Sequence, residues 1–313
     1  MMKPDISYSK LRTFYCMARY SNARKAARAL YVTEGAVSQQ IADLERRLCR
    51  KLFVRLHRKT TLTPDGINLF KLVAPLVESF ENIGLEFERI AGTLKGQIKI
   101  ASWTGLVLHI LPEYVKQFKA TYPECDIVLY NVSNKEILSM VLSGDADVGI
   151  GSLQELPSEI VGWELWRFKR CCIAPLGHPL SKLKHVTLKD LVKYPFILAD
   201  RGGAGGTYQE ALLRACNPDL KVVMEAVNWD VVVKYVEMGL GVSIVPEIVL
   251  QPEHKKEKAL FFQSMSESEK RLGFSRYGIL LRKGKYLVPG AREFIAFLSP
   301  KLAQSLVDPL SSL

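Results

Sequence analysis

The chain has 313 residues, 48% of them hydrophobic and 24% charged, which excludes a disordered or fibrous polypeptide and predicts two or three globular domains. Its formal net charge is +11, yet residues 1–62 hold 14 Lys/Arg against 4 Asp/Glu while residues 63–313 hold 29 against 28. An excess so concentrated excludes a uniformly basic, merely soluble surface and reads as an electrostatic footprint for nucleic acid.

No apolar run approaches the ~18 residues needed to span a bilayer, and MMKPDISYSK lacks the apolar region of a secretion signal. The expectation is a cytoplasmic protein with no membrane partner. Six cysteines, Cys16, Cys49, Cys125, Cys171, Cys172 and Cys216, show neither Cys-x-x-Cys nor Cys/His metal spacing. They read as reduced, partly buried thiols, with a redox switch as the alternative. No metal or cofactor is expected.

In chain order, Leu11, Phe14, Tyr15 and Ala18 fall at helical spacing and predict a first helix of about ten residues. Ser21 and Asn22 are N-cap types before an Ala-rich helix, Ala23 to Leu30, whose Ala26 and Ala27 permit close approach to a neighbour. After Tyr31-Val32, Thr33 caps a third helix, with Val37, Ile41, Leu44 and Leu48 as its buried stripe. Gly35, Gln39 and Arg46 take the opposite face, with Ser38 beside it. Two helices joined by a tight turn, the second presenting short polar side chains, follow the helix-turn-helix plan. Such side chains suit base edges in a major groove. In LFVRLHRKTTLTPDG, the alternation around Arg55, His57, Arg58 and Lys59 predicts a two-stranded wing whose arginine can enter a minor groove.

The run ARKAARALYVTEGAVSQQIADLERRL…KLFVRLHRKTTLTPDG resembles the winged helix-turn-helix of the LysR-type transcriptional regulators. A-A-x-x-L, V-S-x-Q-I, L-E-x-x-L, L-F-x-R and L-T-P-x-G stand in register. The resemblance implies that Thr33, Glu34, Gly35, Ser38, Gln39, Arg55, Arg58 and Lys59 contact DNA. It also implies interrupted palindromic promoter sites and a dimer or tetramer, with RNA polymerase as a further partner. Glu34 stands where the family often has Gln and Gln39 where it often has Arg, which predicts a different base preference. Cys49 replaces the usual Gly, which costs about 1 kcal/mol if the turn stays left-handed.

Thr63 and Pro64 open a linker helix to about residue 91. Phe70, Val73, Val77, Phe80 and Phe87 at heptad spacing predict a dimerising seam, with packing on its own domain as the alternative. Pro75 predicts a kink. Gly92 and Gly96 bracket an expected hinge.

Beyond it, strands and helices alternate: QIKIAS, a helix over 107–121, DIVLYNV, a helix over 134–143, and ADVGIGS. A second unit runs from CCIAPL through FILAD, a helix over 206–215, KVVMEAV and a helix over 229–238 to GVSIVP. YGILLRK and a helix over 290–299 return to the first unit. The order implies largely parallel sheets. Two α/β lobes crossed twice predict a clamshell like the periplasmic binding proteins, with ligand at the carboxyl ends of the strands. That rule selects Ser102, Trp103, Thr104, Ser152, Asp200, Arg201, Gly202, Asn228 and Trp229 as the cleft for a small-molecule effector, a small anion or carboxylate. Trp103 and Trp229 could equally be core.

The fold expected is therefore α/β, with a winged helix-turn-helix (1–63), a linker helix (64–92) and a two-lobed effector domain (93–313). Lobe I takes 93–169 and 275–313, and lobe II takes 170–274. DVVVKYVEMGLGVSIVP carries the family resemblance through this domain. Gly177-His178-Pro179-Leu180 and FSRYGILLRK lean loosely to the branch governing sulfur assimilation. An enzyme is disfavoured, since no nucleophile elbow, His-Glu-x-x-His or P-loop occurs and the five histidines are isolated. A ligand-independent architectural DNA binder would leave the clamshell idle.

Overall fold

The structure is a computed structural model describing residues 6–56, 59–90, 92–199, 204–250, 260–265 and 274–306. His57, Arg58, Asp200, Arg201, Gly202, Gly203 and His254 lie outside the described residues, and Arg55 and Lys59 are described by backbone alone. The chain forms two compact units, residues 1–94 with 283–289, and residues 95–282 with 290–313.

In the first unit, α1 (Tyr8–Tyr20), α2 (Ala23–Leu30) and α3 (Glu34–Leu48) pack around Phe14, Ala26, Val37 and Leu44. The caps follow sequence chemistry. Asn22 accepts from the Lys25 amide and Thr33 from the Ala36 amide, each satisfying a donor the helix leaves open. Strands β1 (Phe53–Leu56) and β2 (Lys59–Leu62) pair antiparallel as the wing.

Cys49 closes α3 at φ 52°, ψ 35°, with the Arg50 amide bonded to the Glu45 carbonyl. This is the left-handed cap that glycine normally fills. Cys49→Gly removes ~1–2 kcal/mol of strain and adds part of that back as unfolded-chain entropy. The expected result is a gain of about 0.5–1 kcal/mol, read from the urea midpoint. A lower midpoint would mean that the Sγ contact to the Arg46 carbonyl at 3.5 Å outweighs the strain.

The linker departs from expectation. Helix α4 (Pro64–Glu81) runs through Pro75 and stops at Asn82, after which α5 (Ile83–Ile90) begins. The Asn82 side chain donates to the Glu78 carbonyl at 2.6 Å, a side-chain competitor for the backbone ladder. Val73 and Val77 do not face outward. They are buried in the helix-turn-helix core with Phe70 packed against them. Phe80 and Phe87 of the expected seam are exposed, 55% and 71%, and Leu72, Leu76, Ile83 and Ile90 join them at 63–77%, with Leu76, Ile83 and Ile90 seven residues apart.

In the second unit, lobe I is a five-stranded sheet of order β4-β3-β5-β12-β6. Its strands are β3 (Gly96–Ser102), β4 (Cys125–Asn131), β5 (Val148–Ser152), β6 (Ile160–Phe168) and β12 (Ser275–Arg282). Only β3 with β4 and β3 with β5 pair parallel, and β12 is antiparallel to both neighbours. The sheet is therefore mixed, because the chain returns from lobe II against the direction of the first three strands. The helix expected over 107–121 is two, α6 (Thr104–His109) and α7 (Leu111–Thr121), divided just before Pro112. Helix α8 (Asn134–Ser143) carries a Ser133/Glu136 capping box.

Lobe II holds an antiparallel sheet β10-β7-β11 and a parallel pair β8-β9, linked by a Phe196–Val242 bridge. These are β7 (Arg170–Pro175), β8 (Phe196–Ala199), β9 (Val222–Ala226), β10 (Ser243–Pro246) and β11 (Leu260–Ser264). Its helices are α9 (Leu188–Leu191), α10 (Ala204–Cys216) and α11 (Trp229–Glu237), and its core gathers Cys172, Phe196, Leu213 and Ile244. Helix α10 starts at Ala204, so Gly205 and Gly206 lie in its first turn and not in a loop before it. Helices α12 (Pro289–Leu298) and α13 (Pro300–Leu306) end the described chain. Strands β6 and β11 had no counterpart among the expected elements.

Candidate functional site

On the first unit, Thr33, Glu34, Gly35, Ser38 and Gln39 are all exposed along one end of α3. Behind them α3 is fixed to α1. The Thr13 hydroxyl donates to Gln40 at 2.6 Å, and the Lys10 ammonium donates to Asp43 at 2.6 Å. The Lys10 hydrogen bond, aided by Arg47, holds the Asp43 carboxyl below the usual range. Glu45 ties α3 to the wing by accepting from the Leu52 amide at 2.8 Å and from Lys51 at 2.7 Å. Burial alone would raise its pKa. Lys51 and the Leu52 and Phe53 amides outweigh that and leave it lowered. A polar face is thus presented on a helix whose own position is over-determined.

In the second unit a cleft of about 290 Å³ opens between the lobes. Lobe I supplies Trp103, Thr104, Asn131, Ser152 and Tyr277; lobe II supplies Arg170, Asn228 and Trp229. The strand-end rule explains the placement, since Trp103 and Thr104 follow β3, Asn131 ends β4 and Ser152 ends β5. The Thr104 hydroxyl donates to Asn131 Oδ1 at 3.0 Å. The Ser152 amide donates to Asn134 at 2.9 Å. Asn228 caps α11 through the Asp230 amide. Trp103 stacks on Tyr277 with centroids 5.1 Å apart and lies over Gly105, where a Cβ would meet the indole at 2.0 Å. Any larger residue there would displace the ring.

Ser102 is a correction. It is fully buried and absent from the cleft wall, and its hydroxyl donates to the Ile150 carbonyl at 2.8 Å. Its side chain braces β3 on β5, because alternate residues of a strand point to opposite faces. Asp200, Arg201 and Gly202 lie outside the described residues. Trp103 and Trp229 are both largely buried and on the cleft wall, so core and site were not alternatives.

Asn131, Gln154, Arg170, Ser275 and Tyr277 line the cleft but were missed. Arg170 is buried at the start of β7 and donates to Gln209 at 2.9 Å, and a cation heading the apolar run Cys-Cys-Ile-Ala-Pro was the available signal. His109 is not an isolated surface residue. Its Nε2 meets Asp230 Oδ1 at 2.9 Å, joining α6 to α11 across the lobes.

Among the described residues no His, Cys, Asp and Glu group is placed to hold a metal, and no helix is long and apolar enough to cross a membrane. Cys16, Cys125, Cys171 and Cys172 are buried. Burial pushes the Cys172 thiol up to about 12, which opposes thiolate chemistry.

A winged helix-turn-helix joined to a two-lobed α/β unit with an interlobe cleft defines a DNA-binding transcriptional regulator with an effector-binding domain. Residues 8–67 match the bacterial regulatory helix-turn-helix protein, lysR family, and residues 91–303 match the LysR substrate binding domain. The HTH-type transcriptional regulator SsuR of Burkholderia cenocepacia is 29% identical over 92% of this chain and 93% of its own. Among solved structures, a full-length OxyR variant from Pseudomonas aeruginosa superposes with TM-score 0.63 at 19% identity, covering 96% of this chain and 94% of that one. Full-length CbnR complexed with its target DNA does so with TM-score 0.53 at 19% identity, covering 94% and 99%. The chain belongs to the LysR family of transcriptional regulators, and is not an enzyme.

Proposed function

We propose that this regulator senses a small molecule in the cleft between lobes I and II, and that the ligand changes how an oligomer of the chain sits on promoter DNA in the cytoplasm. The observation that carries this is the two-sided wall. Thr104 and Ser152 come from one lobe and Arg170, Asn228 and Trp229 from the other, so a bound ligand would favour one lobe arrangement over another.

The DNA end of the proposal rests on the exposed face of α3 and on the basic excess of residues 1–62. The fold likeness to CbnR bound to its target DNA supports it. Ser38 and Gln39 would read bases while Arg55, Arg58 and Lys59 of the wing would meet phosphate or the minor groove. The exposed stripe from Leu72 to Ile90 would bring two or four copies together, matching an interrupted palindrome, and RNA polymerase would read the resulting arrangement.

Chain continuity would supply a route between the two ends. Strand β12 carries Ser275 and Tyr277 on the cleft wall, and the segment after it, 283–289, belongs to the first unit. There Glu78 of α4 accepts from the Tyr286 amide at 3.3 Å and from the Tyr15 hydroxyl of α1 at 2.8 Å. The Tyr286 hydroxyl donates to Glu86 of α5 at 2.6 Å. A shift of β12 would thus pull on the carboxylate that holds α1 to the linker.

Thr104→Ala tests the reading. The substitution should abolish the effect of ligand on DNA affinity while ligand-free affinity stays within about twofold, since Thr104 is half-buried on the cleft wall of the second unit and outside the DNA-binding unit. Loss of DNA binding in the variant, or an undiminished response, would remove this cleft as the sensing site.

A further inference from the structure

The cleft's walls say what kind of molecule it takes, an inference that rests on the cleft being the sensing site. Its volume, about 290 Å³, sits at the lower edge of the ~300–1,000 Å³ typical for organic ligands. An inorganic tetrahedral oxyanion would leave most of it as solvent. Three aromatic rings, Trp103, Tyr277 and Trp229, stand on an otherwise largely polar wall, each less than a tenth exposed.

Formal charge on the wall is sparse. Among the described residues it comprises one cation, Arg170, and one carboxylate, Glu136. Glu136 is engaged in its own helix cap, accepting from the Ser133 amide at 2.9 Å and from its hydroxyl at 2.6 Å. Among the described residues a dianion would meet a single guanidinium, whereas one carboxylate matches Arg170 in charge and in fork geometry.

The Trp103 indole adds a second, independent observation. Its Nε1–H is buried and has no hydrogen-bond partner, although buried donors are nearly always paired. The ring is held between Tyr277 and Gly105, so the orphan donor belongs to a side chain whose position is fixed at the cleft. Leaving it unpaired costs the ligand-free protein stability that an acceptor brought by the ligand would restore.

We infer that the cleft takes an organic monocarboxylate with a flat apolar or aromatic body, its ring packed among Trp103, Tyr277 and Trp229 and its carboxylate directed to Arg170, and not an inorganic oxyanion.

Calorimetric titration of the full chain with sodium benzoate, phenylacetate and cinnamate, against sulfate and acetate at equal ionic strength, tests this. At least one aromatic acid should bind tenfold or more tightly than both sulfate and acetate. Trp103→Phe keeps an aromatic face and deletes the donor, and should weaken that acid about fivefold to tenfold. Sulfate as the tightest ligand, or no binding by any of the three aromatic acids, overturns the ligand class. An unchanged affinity in Trp103→Phe overturns the role of the indole N–H. Sulfate binding that Thr104→Ala abolishes would leave the cleft as the sensing site with the wrong ligand class assigned. Binding indifferent to both substitutions would remove the cleft itself.

Discussion

Ile83→Arg should convert the oligomer to a monomer and lower affinity for a two-half-site operator by at least about a hundredfold, the loss expected when two linked binding events become one. Ile83 is 65% exposed at the start of α5, in register with Leu76 and Ile90. Burying that stripe against a second copy would remove four or five large apolar side chains from water, each worth ~1.5–3 kcal/mol when fully buried. An arginine at its centre would have to be desolvated without a partner. Because the side chain is exposed in one copy, the fold itself should change by less than about 0.5 kcal/mol. Sedimentation and operator binding read both effects. A variant that remains oligomeric with unchanged affinity would place the interface elsewhere.

The second large effect is on sequence readout. Gln39→Ala and Ser38→Ala should each cost roughly 1–3 kcal/mol on the cognate site, a fivefold to 150-fold loss, with little change on random DNA. Both side chains are exposed and neither supports the core. The contacts that hold α3 in place belong to Gln40, Asp43 and Glu45. A loss equal on cognate and random DNA would assign Ser38 and Gln39 to backbone positioning instead.

The helix-turn-helix was legible because its signals are local. Caps at Asn22 and Thr33 and the Val37/Leu44 stripe each need only a few residues of context, and all stand as read. The linker was legible as a helix but not in its facing. Phe70, Val73 and Val77 have heptad spacing, and so do Leu76, Ile83 and Ile90. Spacing does not say which of two apolar faces the helix's own unit claims, and here α1 claims the first. Asn82 ended α4 where Pro75 did not, since a proline disturbs the ladder locally while a side chain capping the Glu78 carbonyl can end it.

In the second unit the strand-end rule found Trp103, Thr104, Ser152, Asn228 and Trp229 on the cleft wall. It took Ser102 for a wall residue because the rule locates a strand's end without saying which face each residue turns to. It missed Arg170, Ser275 and Tyr277 because they come from the strand that opens lobe II and the strand that returns from it, whose antiparallel pairing is not local information. Likewise, His109 and Asp230 lie far apart in sequence, and nothing in either neighbourhood announces the other.

If ligand in the cleft changes DNA binding, DNA must change ligand binding by the same factor, because linkage is reciprocal. The direct measurement is the ligand's dissociation constant for the full chain, free and saturated with operator DNA. Tryptophan fluorescence can report it, because two of the four tryptophans line the cleft. The expected shift is about fivefold or more, equal to the factor by which saturating ligand changes operator affinity. The same dissociation constant with and without DNA would contradict it.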